Sequence, residues 1–414
     1  MATAGGTLTR HRRRVEPTDP LAALRQTIFV AAMSSTLLAL HCSRLDRERG
    51  YDRLVFADEV ASVGRGFKRK YRMEFDVFTA LVEQLRPRLR RNDAQARRRH
   101  GRGLPGRRAV SEETQVAAAL RFYAGASYLD VVSTHKVEPS SFYAMVKRVT
   151  SAVNKELRLA GDITTEAGQV ALSSTFVDAL PLNPLAPSVV GALDGLAVRI
   201  QGPARGATNT PSEFYGRKGF FSLNVHAICD GRCRFVFVST AAPGAMHDSA
   251  AWSQTRLAER LQAAVICLGE RFVICDDAFS ACSHLVPPWP GAALPADRDA
   301  FNFFLSQVRQ NVERAFGILN KKWGILWSAL RVRLGDCGSL VLALMKLHNF
   351  IIDRTPATSL PDLGPDDSSP LVFSDEQSME DADEDCGRDG TACLPRLYWT
   401  TRLSAAGYAR PAVV

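Results

Sequence analysis

The chain has no disulfide framework and no zinc box. Nine cysteines are scattered over 414 residues, with neither dense even spacing nor paired Cys-x-x-Cys motifs. Only Cys229 and Cys233 lie close together, and Asp230-Gly231 between them reads as a hairpin turn rather than a metal pair. This usage fits a reducing compartment. Long apolar runs are scarce as well. Near the N-terminus the longest uncharged stretch, Thr27–Cys42, covers 16 residues, short of the ~20 a membrane span needs. It follows Arg12-Arg13-Arg14, as a signal peptide would, but its interior Ser34-Ser35-Thr36 favours a packed helix and no membrane. No Ser/His/Asp or Cys/His arrangement stands at recognisable spacing, so no protein nucleophile is implied.

A 46% hydrophobic fraction is that of a soluble globular protein, and the length allows two or three domains. Charge is unevenly spread. Lys+Arg 52 against Asp+Glu 43 gives +9 overall. From Asp362 to Asp389 there are eleven acidic residues and one basic residue, Arg388, a net −10 that leaves +19 on the remainder. A basic body of that size suits a polyanion such as nucleic acid, although a basic surface that merely keeps the protein soluble has the same composition. The acidic stretch reads as a disordered tail.

Three carboxylates organise the middle of the chain. Asp194 interrupts the β-like run Val189–Ile200, Asp276 closes Arg271–Asp276, and Glu313 lies in a segment with helical spacing, Val308–Gly317. A strand interior disfavours Asp, and one such residue is ordinarily just a strand end or turn. Three at the ends of successive elements point to a shared site. Converging carboxylates repel, and a divalent cation is the usual remedy. Two such ions about 4 Å apart can clamp the attacking and leaving oxygens of a phosphodiester.

The same stretch resembles the DDE transposase domain of the PIF/Harbinger superfamily, which includes the Harbinger-derived nucleases. The resemblance rests on Ala-Leu-Asp-Gly (192–195), Tyr-Gly-Arg-Lys-Gly-Phe-Phe-Ser-Leu-Asn-Val (215–225) and Pro-Gly-Ala-Met-His-Asp-Ser (243–249). It continues through Asp-Asp-Ala-Phe (276–279), Arg-Gln-Asn-Val-Glu-Arg-Ala-Phe-Gly (309–317) and Leu-His-Asn-Phe (347–350). It implies a ribonuclease H-like α/β catalytic domain, a mixed sheet flanked by helices, and a metal-dependent DNA endonuclease or transposase. The alternative is a transposase-derived DNA-binding protein without catalysis. By resemblance, Asp194, Asp276 and Glu313 are the catalytic metal ligands for Mg²⁺ or Mn²⁺. DNA is the substrate, a Myb-like protein a partner, and the nucleus the location. Departures from the family pattern exist: Asp277 follows Asp276, Leu196 stands where Thr is commoner, and Asn320 where Lys is frequent. Strand alternation turns Asp277 away from Asp276. Asp248 either caps a helix or lies near the metals. Arg309, one helical turn before Glu313, either orients that carboxylate or contacts phosphate. Arg217 and Lys218 are further candidates for DNA contact.

In chain order the reading gives a basic segment with a helix, Leu21–Leu45 (1–66), and a helical, helix-turn-helix-like domain (67–160). A linker (161–188), the catalytic domain (189–355) and the acidic tail (356–414) follow. Arg86–Arg108 is a charged, arginine-rich stretch, either a solvated loop or a segment for phosphate contact or nuclear import. Ser111 caps the next helix, Ser127–His135 is a short one, and Pro139 opens another through Leu157. Ser140, Ser141, Tyr143, Lys147 and Arg148 are its DNA-facing candidates if the pair is a helix-turn-helix. A helical hairpin packed on the catalytic core is the other reading. Strands are expected at Val189–Ile200, Phe221–Cys229, Cys233–Thr240 and Phe272–Cys275. A helical crossover is expected over His247–Glu270, an irregular connection over Cys282–Ala300, and helices over Phe301–Asn320 and Ser339–Ile352.

Overall fold

The computed structural model describes residues 65–90, 110–355 apart from 136, 205, 207, 209, 264 and 267, and 394–411. The helix expected over Leu21–Leu45 and the acidic stretch Asp362–Asp389 lie outside the described residues; of the arginine-rich stretch Arg86–Arg108, Arg86–Leu89 are helical rather than loop, and residues 91–108 lie outside as well.

Five strands make one mixed sheet: β1 (Val189–Arg199), β2 (Ser222–Cys229), β3 (Phe235–Pro243), β4 (Phe272–Ile274) and β5 (Leu285–Val286), in the order β3-β2-β1-β4-β5. β1 to β3 form an antiparallel meander, whereas β4 runs parallel to β1 and β5 parallel to β4. Two departures from the sequence reading have local causes. β3 starts at Phe235 because the turn is longer than Asp230-Gly231. Buried Asp230 accepts from the N–H groups of Arg232 (3.0 Å) and Arg234 (2.9 Å), and Cys233 turns at φ 60°. The stretch expected to be irregular, Cys282–Ala300, holds β5, whose two residues carry no periodicity to read. β5 forms because β4 offers it a free edge.

Side-chain alternation divides the sheet into two apolar faces. Ala192, Leu196 and Val198 of β1 pack with Ala227, Ile274 and the residues Val308, Val312 and Phe316 of α9 (Ala296–Lys322). Val190 and Leu193 face the other way, toward Ile228, Val273 and the short crossover helices α7 (Asp248–Ser253) and α8 (Arg256–Gln262). The remaining helices are α1 (Arg65–Tyr71), α2 (Phe75–Leu89), α3 (Glu112–Tyr123), α4 (Tyr128–Thr134), α5 (Pro139–Glu156), α6 (Glu166–Ala179), α10 (Leu334–Ile352) and α11 (Leu394–Ala405). Ser111 caps α3 by accepting from Thr114 N, Ser127 caps α4 through Asp130 N, and Pro139 opens α5.

One apolar cluster runs without a break from Phe67, Phe78, Leu120 and Phe142 of the helical part into α9, α10 and the sheet. The helices ahead of the sheet therefore pack on it. α5 lies along α10, with Asn154 Nδ2 donating to Ser339 O (2.8 Å) and Lys346 Nζ to Asn154 O (2.6 Å). Among the described residues α10 is the one helix long and apolar enough to cross a membrane, but most of it is buried within the fold. The segment read as an acidic tail also needs correction at its end. Residues 394–405 form α11, which buries Trp399 and Leu403, sets Trp399 against Phe272 and has Thr400 accept from Trp289 Nε1 (2.9 Å). Apolar residues beyond the acidic run give that helix a face to dock.

Candidate active site

In the parallel β1–β4 pair Ala192 stands beside Ile274. Two residues further along each strand direction lie Asp194 and Asp276, in the same phase and on the face that looks toward α9. Both are buried, at 6% and 7% exposure. Asp194 Oδ1 accepts from Gly195 N (2.7 Å), and Asp276 Oδ1 from Ala278 N (3.2 Å). Asp277 is exposed, as alternation requires.

α9 crosses this face because Val308, Val312 and Phe316 recur at helical spacing and bury there. Glu313 follows Val312 at the edge of the buried stripe. Arg309, one turn earlier, forms an ion pair with it (Nη2 to Oε1, 3.0 Å). The angle falls short of a hydrogen bond, so Oε1 is buried yet receives no hydrogen-bond donor among the described residues. Arg309 also acts on Asp276. Burial, then the charges of Asp248 and Asp277, push the Asp276 carboxyl up to about 7, against the smaller opposing pull of Arg309 and Ala278 N–H. The cluster is short of positive charge.

Asp248 does not cap its helix. His247 holds the N-cap position of α7 without a side-chain bond, and Asp248 sits in the first turn. Its Oδ1 accepts from Asn224 Nδ2 (2.6 Å) and lies 3.2 Å from His226 Nε2. Burial pushes this carboxyl up, but hydrogen bonds from His226 and Asn224 and the charges of His226 and Lys218 outweigh it, and the net shift is downward. His226 pairs across the strands with Gly195, and Asn224 shares its face, so Asp248 reaches β1 from the side opposite Asp194. A Cβ on Gly195 would stand 3.0 Å from Asp248 Oδ1, which is why the residue after Asp194 has no side chain. Two serines fasten this layer to the loop after Asp276: Ser280 N donates to Ser249 Oγ (3.3 Å), and the hydroxyls lie 2.9 Å apart.

Arg217 and Lys218 stand on the rim. Arg217 Nη2 is 2.7 Å from the His247 ring, and Lys218 acts on Asp248. Lys147 and Arg148 belong elsewhere, on α5. Lys147 pairs with Asp336 at the start of α10 (2.5 Å), and half-buried Arg148 donates to Gln115 Oε1 (2.8 Å). Ser140, Ser141 and Tyr143 are exposed. Sequence reasoning passed over Asn224 and His226. Their signal was two polar residues spaced by two in the otherwise apolar run Leu223–Cys229. Among the described residues no three His, Cys, Asp or Glu side chains are already gathered as a metal cage.

Residues 193–349 match the family of DDE superfamily endonucleases. The chain is 27% identical over 290 residues to "Putative nuclease HARBI1" of Mus musculus, covering 68% of this chain and 78% of that protein. It is 27% identical over 293 residues to the Homo sapiens protein of the same name, with the same coverage. "Protein ALP1-like" of Arabidopsis thaliana is 26% identical over 187 residues, 42% of this chain and 45% of that protein. No solved structure matches.

Proposed function

We propose, for a chain that belongs with the Harbinger-derived DDE nucleases, that it is a metal-dependent DNA endonuclease or transposase whose site is Asp194, Asp276 and Glu313. The observation that carries this is that β1 and β4 run parallel with Ala192 beside Ile274, so that Asp194 and Asp276, each two residues further on, leave the sheet in the same direction. Sheet order and strand directions support a ribonuclease H-like fold.

The donor set fits a hard divalent cation, Mg²⁺ or Mn²⁺. All three groups are carboxylates, Glu313 Oε1 is buried without a hydrogen bond, and Asp276 is crowded by negative charge. Bound there, such ions supply Lewis-acid activation of water or a DNA 3′-hydroxyl and stabilise the leaving oxygen. The chain's own residues do the rest. Arg309 holds Glu313 in position, and the two must separate before Glu313 can serve as a ligand. Released, Arg309 is well placed to hold a phosphate. Asn224 and His226 fix Asp248, which acts electrostatically from across β1 and is a candidate further ligand. Arg217 and Lys218 contact the DNA backbone at the rim.

Within this reading residues 67–160 are a helix-turn-helix-like DNA-binding unit using Lys147 and Arg148, residues 161–188 a linker and 189–355 the nuclease domain. A Myb-like partner and a nuclear location complete it. The test is nicking of supercoiled plasmid with Mg²⁺ or Mn²⁺, comparing the wild type with Asp194→Asn. Metal-dependent nicking lost in the variant supports the assignment, and equal nicking by both defeats it. A second reading, DNA binding without catalysis, is favoured by the Arg309–Glu313 pair, which already satisfies much of the glutamate's charge. Retained DNA binding with no nicking under either metal would select it.

A further inference from the structure

Three helix C-termini meet on the far side of α9 from Glu313. α1 ends at Tyr71, and Arg72 turns in the left-handed region (φ 65°), sending Nη2 toward Ala124 O at the end of α3 (3.5 Å). Ala124 in turn abuts Gly324, just beyond α9, where a Cβ would stand 2.7 Å from Ala124 O. Lys322, the last residue of α9, lies nine positions past Glu313, about two and a half turns, and so on the opposite face.

Cations at helix C-termini have an ordinary explanation, since the unpaired carbonyls there carry partial negative charge. Lys68, Arg121 and Lys321 stand in the last turns of α1, α3 and α9 and fit it. The centre of the junction does not. Among the described residues Arg72 Nε is buried with no acceptor, and Trp323 Nε1, next to Lys322 in sequence, is buried with none. Lys322 has neither a hydrogen bond nor an ion pair among the described residues. The carboxylates nearby are engaged at the rim, Glu74 by Lys68 (2.7 Å) and Asp130 by Arg121 (3.2 Å). Orphaned buried donors are each costly, and these are donors only. Burial, then the charges of Lys68 and Arg72, push the Lys322 amine down to about 8, so the converging carbonyls do not offset the repulsion. Its field also reaches buried His348 of α10.

We propose that this junction is a phosphate-binding site, with Lys322 and Arg72 as its inner donors and Lys68 at its mouth. A phosphate group brings several acceptor oxygens and no donor, which is what an ammonium and a guanidinium that repel one another lack. The group can arrive as inorganic phosphate or as a phosphodiester of DNA. The site lies on the opposite face of α9 from the carboxylates and does not depend on the nuclease reading.

The experiment is thermal unfolding of the full-length protein in phosphate and in chloride at matched ionic strength. Phosphate is expected to raise the midpoint of the wild type saturably, as a ligand of the folded state does. Lys322→Met is expected to raise the midpoint in chloride, because a repelled cation is gone, and to abolish the phosphate increment. Arg72→Gln is expected to reduce the increment and stands in if the first variant misfolds. A short DNA duplex titrated in phosphate-free buffer separates the sources. Affinity lowered about tenfold in Lys322→Met assigns the phosphodiester, and unchanged affinity with loss of the phosphate increment assigns the free ion. A phosphate increment equal in wild type and both variants, or a midpoint lowered by Lys322→Met in chloride, overturns the proposal.

Discussion

The middle of α9 and its C-terminal end confine opposite charges. At the middle, Asp276 and its acidic neighbours are crowded, with Arg309 acting on Asp276 and Lys218 on Asp248 from the rim. At the end, Lys322 and Arg72 are crowded, and among the described residues the acceptor found for them is a helix carbonyl, Ala124 O. Burial and like charge drive both sites toward neutrality, one carboxyl up to about 7 and one amine down to about 8. A single helix thus separates a region short of cations from a region short of anions. The acidic region has a built-in substitute that must be displaced. Among the described residues the basic region has none.

The largest expected effect breaks the acidic side outright. Asp194→Asn, Asp276→Asn and Glu313→Gln should each lower metal-dependent plasmid nicking by about a thousandfold or more, since several kcal/mol of charge stabilisation disappears. Asp277→Asn, whose side chain is exposed, should nick like the wild type; the reverse pattern would put the second ligand at Asp277. The next effect is on stability in metal-free protein. The folded pKa of Asp276 lies above its unfolded value, so its contribution makes stability fall as pH rises from about 4 to about 7. Asp276→Asn should therefore gain on the order of 2–4 kcal/mol at pH 8 and nothing at pH 4, read by urea unfolding at the two pH values.

Lys322 should show the opposite slope. Its folded pKa is depressed, so its penalty is complete below about pH 8 and fades toward about 10.5. In chloride, Lys322→Met should be more stable by roughly 1–3 kcal/mol at pH 7, with the difference shrinking at pH 10. A constant difference across that range would mean a packing effect rather than a charge effect. The smallest effect lies away from both sites. Replacing Lys147 and Arg148 with Ala should flatten the salt dependence of DNA binding by at most about two units of slope, because no more than two phosphate contacts are removed. The lost Lys147–Asp336 pair is exposed and should cost under about 1 kcal/mol.

Much of this could be read from the sequence because the decisive signals are local. Val189–Arg199 and Ser222–Cys229 are long apolar runs with a polar residue in the wrong place, and α9 shows its buried stripe in Val308, Val312 and Phe316. Asp194 and Asp276 stood out because a strand is a poor place for a carboxylate. What stayed hidden depends on distant partners. β5 is two residues that become a strand only beside β4. Lys147 gives no sign that Asp336, 189 residues later, will take its charge. Arg72 and Lys322 look like routine helix-end cations until the fold brings their helices together.

Phe235, on the outermost strand β3, has its backbone N–H and C=O both held by the side-chain amide of Asn349, at 2.8 Å each, and Ala160 N donates to the same carbonyl (2.9 Å). At the other margin β5 is two residues long, with Trp289 and α11 packed nearby. An open strand edge is a template on which another chain can zip, in domain swapping or fibrils. Here one amide imitates the missing neighbour on one side, and brevity limits the other. At Phe235, then, an added strand would find both backbone groups already taken, and Asn349→Leu would free both from that amide.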